Sequence, residues 1–268
     1  MKSLLANFLA LAVAIGAPTL AAAAQQYDDA AEQRLFQLLN QERTRAGLPA
    51  LEWDARLQRA ARKHSQLMAQ HRQLSHDFSG ELPLSKRLAA QGIRLNSDAE
   101  NVAFDQTAEH AHQGFMQSPP HRASIMNPQY NAGGIGVVRQ GDRLWITEDF
   151  AHRLEDRTDQ QAEDAIAAAL ERERGKAHLF AASRVRVPQL REIACSMAHK
   201  GRPDAHAPLG LPEVRSAVVY TAGEPERLPS SAVQSAHNPS VRRFAVAACF
   251  ARNEQYPAGT YWVVITFY

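Results

Sequence analysis

The stretch NAGGIGVVRQGDRLWITEDFA, residues 131–151, decides the fold class of the chain. Two segments, 131–139 and 143–150, read as strands and flank the pair Gly141-Asp142, which is typical of a tight turn. The second segment alternates between two faces, and one of these faces carries Leu144, Ile146, Glu148 and Phe150. The stretch therefore predicts an antiparallel hairpin.

Three helices are predicted before this hairpin. Residues 31–46 carry apolar side chains at the helical period, and a Gly-Leu-Pro sequence ends the run. A second helix begins after Asp54, whose side chain suits an N-cap. A third covers residues 107–116. Helices followed by a terminal antiparallel hairpin predict an α+β layer fold.

The first 24 residues predict export from the cytoplasm. Lys2 precedes an apolar run from Leu4 to Ile15, and small residues follow as far as Ala24. This is the pattern of a signal peptide, here cleaved after Ala24. A membrane anchor is the alternative, but the apolar run is too short to span a bilayer comfortably. We therefore expect a periplasmic or secreted protein whose mature chain has no transmembrane segment.

Charge and cysteine content narrow the function classes. The full chain has 30 basic and 28 acidic residues, and removal of the signal peptide takes away only Lys2 among them. A nearly neutral chain gives no reason to propose a nucleic-acid partner, which is bound through an excess of positive charge. Outside the cytoplasm, Cys195 and Cys249 are most simply one disulfide. Two buried free thiols are the alternative.

The predicted elements of the second half of the chain follow the same order as those of the first. Polar residues 154–160 predict a linker, so we assign 25–154 to one domain and 155–268 to another. Two helices and a terminal strand pair follow in the earlier order, at about residues 162–174, 190–198, 244–250 and 261–267. A degenerate internal duplication explains this order, and coincidence between amphipathic helices is the alternative. We expect the second half to be structural or partner-binding.

Three segments of the first half each carry one titratable residue in or beside a loop, namely His76, Glu100 and His121. Two imidazoles and a carboxylate can hold zinc with an open position, or they can act as acid and base. Their spacing matches no local metal motif, so surface or structural roles are the default. His64, on the apolar stripe of the second helix, is expected to be a buried and hydrogen-bonded residue.

These segments, taken in order, resemble the CAP superfamily of cysteine-rich secretory, antigen 5 and pathogenesis-related proteins, and most closely its bacterial secreted branch. The resemblance spans about residues 31–151. The motifs that carry it are LEWDARLQRAA at 51–61, SH at 75–76, ENVA at 100–103, SPPHRASIM at 118–126, GGIGVV at 133–138 and LWITEDFA at 144–151.

The resemblance implies an α-β-α sandwich in which His76, Glu100 and His121 line a central cleft. Eukaryotic members have a second glutamate on the helix before the last histidine, and this chain has no clear counterpart; Phe115 stands where tryptophan is usual. Glu148 lies on the apolar face of its strand, where a bare carboxylate is costly. We therefore expect Glu148 to face the cleft as the second acid.

Three functions remain open. The first is a binding module for a small ligand, lipid or envelope component, in which His76 and His121 could also hold zinc. The second is a hydrolase that uses the same residues, although no convincing nucleophile lies near them. The third is an envelope scaffold made of two packed halves. The resemblance favours the binding module, because the family has no single agreed activity.

Overall fold

The computed structural model describes residues 26–268, in which two α+β halves follow one another. The predicted signal peptide lies outside the described residues. The first half consists of β1 (Gln26–Tyr27), α1 (Asp29–Arg45), β2 (Glu52–Trp53), α2 (Ala55–His71), α3 (Leu84–Ala90), β3 (Leu95–Asp105), α4 (Ala108–Gln117), α5 (Pro119–Ile125), β4 (Ala132–Gln140) and β5 (Arg143–Arg153).

The second half consists of α6 (Asp159–Lys176), β6 (Ser183–Arg184), α7 (Pro188–Lys200), a short 3-10 helix (Ala207–Gly210), β7 (Ser216–Ala222), α8 (Ser230–Ala236), β8 (Arg243–Ala251) and β9 (Thr260–Phe267). Among residues 26–268, no helix combines the length and apolar character needed to cross a bilayer.

Local sequence signals set the helix boundaries of the first half. The Asp54 carboxylate accepts a hydrogen bond from the Arg56 amide at 2.7 Å, so it caps α2 as predicted. Asp28 caps α1 in the same way, through the Ala31 amide at 2.9 Å. The strands β4 and β5 pair antiparallel around Gly141, which confirms the predicted hairpin.

The first sheet lies between two layers of helices. Its strand order is β1-β4-β5-β3, and β2 pairs in parallel with β4. One face packs on α1, α4 and α5, and the other packs on α2 and α3. Glycine lets α2 approach closely, because a Cβ at Gly134 would lie 2.2 Å from the Gln58 amide nitrogen. The predicted α-β-α sandwich is confirmed.

The second sheet repeats this arrangement. Its order is β6-β8-β9-β7, and β6 runs parallel to β8 as β2 runs parallel to β4. Helices α6 and α8 cover one face, while α7 covers the other. The shared topology favours the predicted duplication, which stays a prediction about the origin of the chain.

A buried arginine near the end of the first helix holds each half together. The guanidinium groups of Arg43 on α1 and Arg174 on α6 donate to backbone carbonyls that the nearby loops leave without strand partners. The acceptors are Pro49, Ile125, Asn127 and Tyr130 in the first half, and Phe180, Ala236, Asn238 and Val241 in the second.

The predicted disulfide is confirmed. Cys195 on α7 and Cys249 on β8 are bonded, with their Cα atoms 5.1 Å apart. The bridge ties the helix layer of the second half to its sheet, and the two bonded residues are 54 positions apart in the sequence.

Arg94 connects the two halves through hydrogen bonds and a cation–π contact. Its side chain comes from the first half, is only 4% exposed, and donates to the Tyr261 hydroxyl at 3.1 Å and the Gly223 carbonyl at 3.2 Å. The guanidinium also lies over the ring of Phe250, 4.6 Å from its centroid. The predicted linker is part of this contact, since the Tyr261 hydroxyl donates to the Arg157 carbonyl at 2.6 Å.

Candidate functional site

The candidate site lies on the edge strand of the first sheet. The sequence analysis placed Glu100 in or beside a loop, but this residue lies within the long strand β3, which pairs with β5 alone. Successive residues of β3 point to opposite faces. Glu100 pairs with Asp149 on the face covered by α2 and α3, and Asn101 pairs with Glu148 on the opposite face.

Glu100 is a nearly buried carboxylate held by basic groups. His76 Nδ1 lies 2.9 Å from Glu100 Oε1, and the Arg87 guanidinium is bonded to Oε2. The Glu100 side chain is 4% exposed, whereas that of His76 is 54% exposed. The structure therefore brings two of the three predicted residues together, with the imidazole at the surface and the carboxylate beneath it.

A second layer of hydrogen bonds fixes the loop that carries His76. The Arg87 guanidinium donates to Glu81 at 3.0 Å, and His64 Nδ1 lies 2.9 Å from the same carboxylate. His64 Nε2 contacts the Ser75 carbonyl at 2.8 Å, immediately before His76. His64 is fully buried with both ring nitrogens partnered, as expected. Helices α2 and α3 thus position the loop through charged groups.

His121 enters the site from α5, on the other side of the strand edge. The Asn101 amide donates to the His121 carbonyl at 3.2 Å, which places this residue beside β3. Its ring lies edge-on to Phe115, with centroids 5.3 Å apart. Phe115 itself is buried in the core of the first half, so it supports the His121 ring from beneath.

The two imidazoles are driven toward opposite protonation states. The hydrogen bond to Glu100 raises the pKa of His76 above its ordinary value, although burial acts in the opposite sense. Burial lowers the pKa of His121, and the positive charge of His76 lowers it further. The site therefore contains one imidazole that is protonated more readily than usual, His76, and one that is protonated less readily, His121.

Glu148 does not open onto the cleft as the sequence analysis expected. Its side chain is fully buried, and Oε2 accepts from the Asn101 amide at 3.1 Å. Strand alternation places Glu148 on the α4 and α5 face, so it reaches the cleft only through Asn101. Burial raises the pKa of Glu148 to about 8, and its carboxyl is therefore largely protonated at neutral pH.

Sequence reasoning missed two charged members of the site. Arg87 lies in α3 and was given no role, although it binds Glu100. Asp149 is buried next to Glu100, and burial, reinforced by the negative charge of Glu100, raises the pKa of Asp149 well above its usual range. The pairing of β3 with β5 brings Asp149 onto the face of Glu100, and this pairing was not predicted because β3 itself was not.

The residues do not fit a zinc site with three protein ligands. His76 has its Nδ1 on a carboxylate, an arrangement often seen in metal-binding histidines. The Glu100 oxygens, however, are already bonded to His76 and Arg87, and the raised pKa of His76 favours a proton over a metal. Within residues 26–268, no group of three or more His, Cys, Asp or Glu side chains is arranged to hold a metal ion.

Comparison with known proteins covers mainly this half of the chain. Residues 36–150 match the family model described as CAP, the cysteine-rich secretory protein family. Two curated proteins of Bacillus subtilis (strain 168) are similar. The "Uncharacterized membrane protein YlbC" is 30% identical over 123 residues, which are 46% of this chain and 34% of that protein. The "Uncharacterized protein YkwD" is 32% identical over 118 residues, or 44% and 46%.

Several solved structures match the chain. Among them is an extracellular protein containing a SCP domain from Bacillus anthracis str. Ames, 30% identical, with a TM-score of 0.44. The match covers 46% of this chain and 41% of that protein. The chain thus spans between about a third and a half of the length of the curated relatives that it matches.

Proposed function

Because residues 36–150 are a CAP domain, as their motifs predicted, we propose that this half of the chain is a binding module whose cleft holds a small ligand between His76 and His121. One observation carries the proposal: a half-exposed imidazole, His76, stands on a buried carboxylate, Glu100, that also forms an ion pair with Arg87. Burying charged groups such as Glu100 and Arg87 costs free energy, so packing alone does not explain why they lie beneath His76. Such buried partners are expected where the orientation of a surface group matters for binding.

The charges of the site indicate the ligand class. A protonated His76 donates to an anionic or strongly accepting group, and a neutral His121 accepts or donates as its tautomer requires. Phe115 packs edge-on against the His121 ring and supports its orientation. We therefore propose a ligand with one anionic or carbonyl-like group, and a lipid headgroup or another envelope component of this chemistry fits the same description.

We further propose that the protein works outside the cytoplasm. The signal-peptide pattern of residues 1–24 supports export, and so does the Cys195–Cys249 disulfide, because such bonds persist in oxidising compartments. Mass spectrometry of the protein from cell fractions tests this. A mature N-terminus near residue 25 in the periplasmic or culture fraction is expected, and a full-length cytoplasmic chain would contradict it.

Binding to the cleft is tested by thermal shift at pH 6 and pH 8. Phosphate, acetate and citrate are the probes, and His76→Ala and His121→Ala are the variants. His110→Ala is the matched control, because His110 forms an exposed pair with Asp105 at 2.8 Å outside the cleft. We expect stabilisation by at least one anion at pH 6 that is lost in both cleft variants only. An equal response in His110→Ala and His76→Ala would contradict the proposal.

The zinc prediction rests on the two imidazoles alone and has its own test. Isothermal titration with Zn²⁺ is compared between the wild-type chain and His76→Ala or His121→Ala. Heat of binding that both variants lose would support a two-imidazole site. No heat in the wild-type chain would remove zinc from the proposal without affecting anion binding.

A hydrolase is the weaker alternative. The Ser75 hydroxyl donates to the Asp77 carbonyl at 2.8 Å, so it is engaged in a local turn, not in a bond to an imidazole. A peptide and ester screen with the wild-type chain and Glu100→Gln separates the two functions. Equal background rates would exclude the hydrolase.

A further inference from the structure

A small pocket lies where the two halves of the chain meet, and we call it the junction pocket. Its volume of about 200 Å³ is below the roughly 300–1,000 Å³ of pockets that hold drug-sized ligands, so only a small molecule fits. The lining includes Arg94 and His152 from the first half, Arg157 from the linker, and Gly223 and Glu226 from the second half. No residue of the proposed ligand cleft lines it, so the two sites are distinct.

Arg94 is a buried cation in this lining whose hydrogen bonds are incomplete. Its Nη1 and Nη2 atoms donate to Tyr261, Glu155 and Gly223. The Nε atom is also buried, yet no atom of residues 26–268 accepts a hydrogen bond from it. The same residues provide no acidic side chain within ion-pairing distance of the guanidinium. A buried charge with an unbonded donor is costly, and an anionic acceptor in the pocket would remove that cost.

The other buried arginines differ from Arg94 in this respect. Residues 26–268 contain four buried arginines. In Arg43 and Arg174, all three guanidinium nitrogens donate to backbone carbonyl groups, so their hydrogen bonds are complete within the protein. Arg87 also has an unbonded Nε, but ion pairs with two carboxylates balance its charge. Arg94 therefore combines an unbonded donor with a missing counter-ion and a place in a pocket wall.

An acceptor without a donor lines the same pocket. Glu226 accepts from Arg157 through Oε1 at 2.7 Å, but its buried Oε2 atom has no donor among residues 26–268. The remaining charged side chains of the lining have ion-pair partners of their own: Arg153 pairs with Glu52, Glu155 with Arg157, and Glu224 with Arg227. The pocket thus presents one free guanidinium N–H and one free carboxylate oxygen.

These two unbonded groups are complementary to a molecule with one carboxylate and one ammonium group. The carboxylate accepts from Nε of Arg94 and supplies the missing negative charge, while the ammonium group donates to Oε2 of Glu226. We propose that the junction pocket is a second ligand site, for a small amino carboxylate of the free amino-acid class. The site does not depend on the cleft function, since the two sites use different residues.

Isothermal titration of the mature chain with three amino carboxylates tests the proposal. L-Alanine, β-alanine and γ-aminobutyrate carry the same two charged groups at increasing separation, whereas propionate and propylamine each carry only one. We expect saturable binding of at least one amino carboxylate, about tenfold or more tighter than that of propionate or propylamine. Glu226→Gln should weaken this binding roughly tenfold, the loss typical of one charged hydrogen bond, while it keeps an acceptor for Arg157.

Two further variants change the pocket in other ways. Arg94→Lys keeps the positive charge but removes the Nε donor, so it should weaken binding as Glu226→Gln does. His152→Trp should abolish binding, because His152 is a partly exposed lining residue and the larger ring fills the pocket. Melting temperatures establish that each variant is folded, and Glu226→Gln and His152→Trp keep the test valid if Arg94→Lys is not.

Two controls make the result specific. Glu213→Gln, the same change in an exposed ion pair outside the pocket, and His76→Ala in the cleft should both leave the affinity unchanged. Unchanged affinity in Glu226→Gln and His152→Trp, a loss in His76→Ala instead, or propionate that binds as tightly as every amino carboxylate would overturn the proposal. No binding at all would also overturn it, because ordered water would then account for the unbonded groups.

Discussion

The two halves of the chain share a topology and differ where the chemistry lies. In both halves a helix glutamate accepts the amide of the central strand, Glu32 from Val137 and Glu163 from Ala248, which fixes how the two sheets correspond. Strand pairing then matches four polar positions of the first half with four of the second. Glu100, Asn101, Glu148 and Asp149 correspond to Ala217, Val218, Ile265 and Thr266.

This difference separates the residues that make the fold from those that make the site. The second half also has the buried arginine, Arg174, and the helix glutamate, Glu163, so these residues stabilise the shared topology. At the positions that match Glu100, Glu148 and Asp149 it has Ala217, Ile265 and Thr266, and its sheet still forms. The three carboxylates of the first half are therefore not required for this topology.

The largest expected effect on stability comes from replacing the buried arginine that each half contains. Arg43→Met would leave four carbonyl groups without their donor, two of them in buried hydrogen bonds, and we expect a loss of about 3–5 kcal/mol in the free energy of unfolding. Arg174→Met should cost a similar amount. Urea unfolding measures both, with the exposed Arg45→Met as the control. A loss of less than about 1 kcal/mol in either variant would show that Arg43 and Arg174 do not play equivalent structural roles.

Removal of the disulfide should reduce stability somewhat less, and only in the second half. Replacing both Cys195 and Cys249 by serine removes a constraint between residues 54 positions apart, for which a loss of about 2–4 kcal/mol is typical. The first half should respond little, because the bridge lies outside it. Hydrogen exchange followed by mass spectrometry reports each half separately, and equal loosening of both would contradict this expectation.

Glu148→Gln tests the cost of a buried acid in the first half. Folding raises the pKa of Glu148 from 4.5 to about 8, so the wild-type chain loses stability as the pH rises through this window. The amide keeps an acceptor for Asn101 and cannot ionise. We expect Glu148→Gln to be more stable than the wild-type chain at pH 8 by on the order of 2 kcal/mol.

The two proteins should be nearly equal in stability at pH 4, where the wild-type carboxyl is protonated in both states. Unfolding by urea across the pH range makes the comparison. A constant difference between them at every pH would mean that Glu148 does not titrate in the folded protein as described.

Local patterns predicted most of the architecture but only part of the site. The hairpin of 131–151 and the cap at Asp54 follow from alternation and backbone chemistry, which act over a few residues. Strand β3 was missed because polar residues lie on both of its faces, so no apolar alternation marks it. Arg87 and Asp149 join the site through tertiary pairing, which spacing along the chain does not reveal.

The smallest expected effect is a change in the pKa of His76, and it tests the candidate site directly. The pKa of His76 is raised in the folded chain, so its pair with Glu100 contributes stability that is fully present below pH 6.5 and is lost as the pH rises through the folded pKa. Glu100→Gln removes the charged acceptor. We expect the pKa of His76 to fall in this variant and that of His110 to stay unchanged.

The most direct test is therefore a histidine NMR titration of the mature chain, with each ring assigned by substitution. The account predicts that His76 titrates above its ordinary value and His121 below it, and that His76→Ala raises the pKa of His121 by removing a neighbouring positive charge. Ordinary pKa values for both rings, with His121 indifferent to His76→Ala, would show that the two imidazoles share no cleft.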